Sequence, residues 1–154
     1  VNAIIAERFD EFPFESCLSY VRLPPRKHRR SEVQGAVVDM DSLDTYRPIF
    51  KFLQKKGVKK IFQITVNDLV GPAHTDKCIV ELTRQYNILH WDWQKLDISS
   101  DTILAAAPDV KTVVMHSSGN FSTLQGWACK HGLSRLKKVS GAVFARELCL
   151  SNID

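Results

Sequence analysis

The sequence predicts an α/β fold built on a parallel sheet, its strands in sequential order and its helices mainly on one face. Three observations predict it. From residue 44 onward, segments that alternate apolar and polar residues take turns with segments whose apolar residues recur at helical spacing. Every second position of the strand segments is polar, whereas strands covered on both faces read as unbroken apolar runs. Corresponding strand positions Phe62, Trp91, Val113 and Val139 lie 29, 22 and 26 residues apart.

The elements follow in order. "FESCLSYVRLP" and "GAVVDMDS" each read as a strand, with a basic loop between them. "LDTYRPIFKFLQKKG" reads as a helix, with Tyr46, Ile49, Phe50 and Leu53 at helical spacing and Gly57 as its stop. "VKKIFQITVND" alternates, placing Phe62, Ile64 and Val66 on one side and Gln63 and Thr65 on the other. "HTDKCIVELTRQY" is a helix with Thr75 as N-cap and Cys78, Ile79, Leu82 and Tyr86 on its apolar stripe. In "NILHWDWQKL", Leu89, Trp91 and Trp93 point one way and His90, Asp92 and Gln94 the other. "SSDTILAAAP" is a short helix capped by Ser99 or Ser100, and "DVKTVVMHSSG" is a strand. "NFSTLQGWACKHG" is a helix with Phe121, Leu124 and Trp127 on one side, and "LSRLKKVSGAVFARELCL" holds a last strand. Residues 1–35 are expected to be an N-terminal strand plus basic loop packed on a β/α repeat domain, 36–154, the two forming one folding unit.

A parallel sheet with one open face invites the leucine-rich-repeat template, L-x-x-L-x-L-x-x-N/C-x-L. Ile88, Trp91, Trp93, Leu96 and Ile98 map onto it, as do Val110, Val113, Met115 and Ser118. Around the second strand Phe62, Ile64, Asn67 and Leu69 fit, while Lys59 misses the first position. The alternative is a flavodoxin-like three-layer α/β fold. Under the repeat reading both tryptophans are core, and the polar residues between them form the working face. Gln63 and Thr65, then His90, Asp92 and Gln94, then Thr112, Val114 and His116 would stand in adjacent columns, the face on which repeat proteins bind partners.

Composition narrows the function classes. The net charge of +4 comes from one run, "VRLPPRKHRR", with Arg22, Arg26, Lys27, Arg29 and Arg30. Without those five the chain holds 16 basic residues against 17 acidic. The run reads as a solvated loop, with nuclear targeting or an acidic partner as alternatives, and nucleic acid is not the expected partner. No apolar stretch is long enough for a membrane span, and the N-terminal "VNAIIAERFDEF" lacks a signal-peptide pattern. Cys17, Cys78, Cys129 and Cys149 show no CxxC or zinc-type spacing, which predicts buried free thiols in a reducing, cytoplasmic setting and no bound metal.

No catalytic machinery stands out. "MHSSGN" has no G-x-S-x-G elbow, and adjacent His116 and Ser117 point to opposite faces of a strand. Asp39 and Asp41 in "AVVDMDSL" look like the nucleophile motif of haloacid dehalogenase-type Mg²⁺-dependent phosphatases, which makes such a phosphatase the alternative function. That chemistry needs a further acidic pair, yet only Glu147 and Asp154 are acidic after Ser118.

Several strings together, "FESCLSYVRLP", "IFKFLQKKGVKKIFQITVND", "PAHTDKCIVEL", "LHWDWQKLDISSDTILAAAPDVKTVVMHSSGNFSTLQGW" and "GLSRLKKV", resemble the segment upstream of the protease domain in fungal intracellular subtilisin-like proteins. The resemblance runs from about residue 12 to residue 140, with W-D-W and S-G-N its most specific blocks. Asn67, Ser99 and Phe121 depart from the family pattern, standing where Asp, Cys and Asn are usual. The D-[ST]-G, H-G-T and G-T-S-x-A strings of subtilisin catalysis are absent from these 154 residues. The resemblance therefore implies a non-catalytic, cofactor-free regulatory neighbour of a serine protease, whose partner is a protease domain in cis or a signalling protein.

Overall fold

The computed structural model describes residues 14–25, 46–69 and 73–146. Five parallel strands, β1 (Cys17–Leu23), β2 (Lys60–Asn67), β3 (Asn87–Leu96), β4 (Thr112–Ser117) and β5 (Gly141–Arg146), form one sheet in the order β1-β2-β3-β4-β5. Between them lie α1 (Arg47–Lys55), α2 (Asp76–Thr83), α3 (Ser100–Ala106) and α4 (Phe121–Ala128), with a 3₁₀ turn at Leu133–Arg135. Crossovers of one hand joining neighbouring parallel strands put every helix on the same side of the sheet. The packing agrees: Phe50, Leu53, Ile79, Leu82, Ile103 and Trp127 of the four helices share one apolar cluster with the inward residues of the strands. Sequential order also differs from the flavodoxin-like order, so that alternative is set aside.

The inward residues recur at a fixed spacing. Ile61, Ile64 and Val66 in β2, Ile88, Trp91 and Trp93 in β3, and Val110, Val113 and Met115 at β4 are each no more than 1% exposed. Trp91 and Trp93 stack in this layer with ring centroids 5.7 Å apart. The first residue of each triplet precedes the second by three positions, so strict alternation fails there. The expectation for Phe62 is corrected by this phase change. Ile61 takes the inward place, and Phe62 lies on the open face, 47% exposed, with its ring 4.5 Å from that of His90. Trp91 accordingly pairs with Ile64 rather than Phe62, and Val113 pairs with Ala142 rather than Val139. In β3 it is Ile88, not Leu89, that joins the central cluster.

Local signals set the helix ends. Thr75 accepts a hydrogen bond from the Cys78 amide at 3.2 Å, and Ser99 accepts one from the Thr102 amide at 3.0 Å. Asn120 caps α4 by accepting from Ser122 at 2.9 Å. Gly57 follows α1 at φ +78°, a conformation open to glycine. A Cβ at Gly132 would stand 2.3 Å from the carbonyl oxygens of both Gly126 and Trp127, so only glycine permits that close return of the chain after α4. The predicted stripe of α4 is corrected: Trp127 is buried and donates from Nε1 to the Ile98 carbonyl at 2.8 Å, but Phe121 is 75% exposed. Ile49 and Leu124 also reach solvent. The thiols differ from expectation too, since Cys17 and Cys129 are exposed and Cys78 half-buried, none in a disulfide.

Residues 26–30, the proposed strand "GAVVDMDS" with Asp39 and Asp41, the 35/36 boundary and Cys149 lie outside the described residues. Among the described residues no helix is long and apolar enough to cross a membrane.

Candidate functional site

Strand register sets the predicted polar residues in rows across the open face. Tyr20, Gln63, His90, Thr112 and Gly141 are successive partners, as are Arg22, Thr65, Asp92, Val114 and Val143. The seven polar residues of the predicted columns, Gln63, Thr65, His90, Asp92, Gln94, Thr112 and His116, thus lie on β2, β3 and β4 of one sheet, and Arg22 extends the second row as an exposed side chain on β1.

Hydrogen bonds run within and between the rows. Tyr20 Oη donates to Thr65 Oγ1 at 3.3 Å, and Gln94 Nε2 donates to Asp92 Oδ2 at 3.4 Å. His90 Nδ1 stands 2.5 Å from Thr112 Oγ1, and His116 Nε2 stands 2.8 Å from Asp92 Oδ1. The register shifts beside the last contact. Asp92 pairs with Val114 and Leu96 with His116, so four residues of β3 are matched by two of β4. Thr65 and His116 are buried, while Gln63, His90, Asp92, Gln94 and Thr112 are half-buried. The columns are therefore less open than their alternation suggests, because neighbouring side chains lean on one another. Tyr20 and Phe62, 49% and 47% exposed, project beyond them.

This arrangement does not assemble a hydrolytic triad. Thr112 is in reach of His90, but Asp92 contacts His116, so the hydroxyl and the carboxylate meet different histidines. Among the described residues no group of three His, Cys, Asp or Glu side chains is placed to hold a metal ion.

A second polar cluster, absent from the sequence expectation, lies where β2 and β3 end. Asp68 and His74 are fully buried, with His74 Nδ1 2.8 Å from Asp68 Oδ1. Asp68 Oδ2 accepts from the His74 amide at 2.9 Å and from Trp93 Nε1 at 3.0 Å. Tyr46 stacks on the His74 ring at 4.9 Å. Burial alone would raise the Asp68 pKa, but the hydrogen bonds from His74 and Trp93 outweigh it and hold the carboxyl below its ordinary value. Beside it, Lys95 Nζ donates to the His74 carbonyl at 2.8 Å and pairs with Asp76. Asp76 also accepts from Thr102 Oγ1 at 2.6 Å, tying α2 to α3. Burial raises its pKa as well, and the bonds from Lys95 and Thr102 more than reverse this.

Asp97, in the left-handed region at φ 56°, accepts from the Ser118 amide at 3.1 Å and binds the Ser118 hydroxyl. Its short polar side chain suits that backbone conformation. The strings "VND", "AHTD", "WQKLDISSDT" and "HSSGN" thus meet at one end of the sheet. Their grouping into blocks was the available signal. The contacts depend on chain reversals that no short spacing reveals.

No family model, no curated protein and no solved structure matches this chain.

Proposed function

We propose that this domain is a non-catalytic protein-interaction module that receives its partner on the open face of the sheet. The observation that carries the reading is the pre-arranged polar surface of β2–β4. His90–Thr112 and Asp92–His116 are held by internal hydrogen bonds, and the exposed rings of Tyr20 and Phe62 stand beside them. Side chains already fixed lose little further freedom on binding, and aromatic rings at the rim supply apolar contact area.

The partner proposed is a subtilisin-like protease domain in cis or a signalling protein, on the strength of the motif blocks alone. Exposed thiols at Cys17 and Cys129 suit a reducing compartment, and we place the domain in the cytoplasm. Calorimetric titration of the 154-residue chain with a fungal intracellular subtilisin-like protease domain tests this. Saturable binding that weakens by about tenfold or more in His90→Ala and in Asp92→Asn is expected. Absent binding, or binding that survives both substitutions, contradicts it.

A further inference from the structure

The open face is not the only surface with a defined chemistry. Two clefts meet at Pro108 and Asp109, beside the starts of β3 and β4. One, of about 250 Å³, has Lys59 and Arg84 on its walls; the other, of about 440 Å³, has Arg135, Lys137 and Lys138. All five cations are solvent-exposed, and Asp109 is the one carboxylate among the lining residues. Lys111, also exposed, begins β4 next to them.

Helix ends account for only part of this charge. Arg84 is the C-cap of α2, where a cation complements the helix dipole. Lys111 sits in a loop, and Lys137 and Lys138 lie just beyond the 3₁₀ turn. At the opposite end of the strands, the carboxylates of Asp68, Asp76 and Asp97 lie near Lys95.

The larger cleft has a further property: Leu104 and Pro108 line it between the cations. From this combination we infer that the cleft edge is a second interaction surface, which takes an acidic peptide segment carrying an apolar side chain. The carboxylates would meet Lys59, Arg84, Lys137 and Lys138, and the apolar side chain would rest on Leu104 and Pro108. Asp109, 2.7 Å from Lys138, occupies one cation in the free protein and would be displaced from it. Single-stranded nucleic acid fits less well, because it needs aromatic rings on which bases stack. The one ring here, Tyr86, is 3% exposed with its hydroxyl donated to the Phe50 carbonyl.

The test is fluorescence anisotropy with the 154-residue chain and a labelled peptide of alternating glutamate and leucine. Binding that weakens as salt rises is expected, with a loss of about tenfold or more in the Lys137→Glu/Lys138→Glu double variant. A peptide with serine in place of leucine should bind about tenfold more weakly, which probes the apolar floor without altering the protein. His90→Ala should leave this affinity unchanged, separating the surface from the open face. Absent or salt-insensitive binding overturns the inference. So does equal affinity for the serine peptide, or an oligothymidylate that binds as tightly as the leucine peptide.

Discussion

Two aspartate–histidine pairs in this domain share a separation of 2.8 Å and little else. Asp68–His74 is sealed from solvent beneath Tyr46 and beside Trp93. Asp92–His116 lies on the open sheet face, its carboxylate side chain 21% exposed. The first pair fastens a loop to the end of the sheet. The second leaves an aspartate that a partner can still reach. Identical chemistry is therefore architecture in one place and a candidate recognition surface in the other, and depth decides between them.

The largest effect that could break this comparison is loss of the sealed pair. Asp68→Ala strands the His74 and Trp93 donors and should cost about 3–5 kcal/mol, read by urea unfolding. A cost below about 1 kcal/mol would show that the cluster is not a fastening. Asp92→Ala should cost only about 1–3 kcal/mol, since its carboxylate is already partly exposed to water, while lowering partner affinity. Equal costs at the two sites would erase the distinction.

Acid sharpens the contrast. Asp68 and Asp76 have folded pKa values below their ordinary ones. The folded chain then binds fewer protons than the unfolded one, so the stabilisation is complete above the unfolded value of about 3.9 and is lost as pH falls through the folded values. The urea midpoint should hold above about pH 5 and decline in stronger acid, with a shallower decline in Asp76→Asn. A midpoint that declines no less steeply in that variant would remove Asp76 from the account. The smallest effect belongs to Thr75→Ala, which deletes the α2 cap for about 1 kcal/mol and should leave partner affinity alone.

The core was largely legible in the sequence. Ile88, Trp91 and Trp93 fit the repeat template because their spacing is local, and Thr75 and Ser99 announced their helices for the same reason. The phase of β2 was not. Ile61 and Phe62 are adjacent apolar residues, so the alternation has two solutions, and only pairing with β3 selects one. Phe121 and Leu124 matched a helical stripe, but among the described residues only β5 follows α4, and little sheet remains to cover them. Of the candidate site, the columns were readable from alternation. The register shift between Asp92 and Leu96 was not, since no pattern of residue types marks it. The Asp68–His74 pair needed a chain reversal, and the cationic edge needed loops far apart in sequence to come together.

One face of the sheet is covered and the other open, with the tryptophans beneath and the rings of Tyr20 and Phe62 above. Hydroxyl-radical footprinting of the free domain, read by peptide mass spectrometry, tests it most directly. Indole is intrinsically among the most reactive side chains, so burial must show as protection. Rapid oxidation at Tyr20 and Phe62 and little at Trp91 and Trp93 are expected. Ready oxidation of either tryptophan, or protection of Phe62, would contradict it.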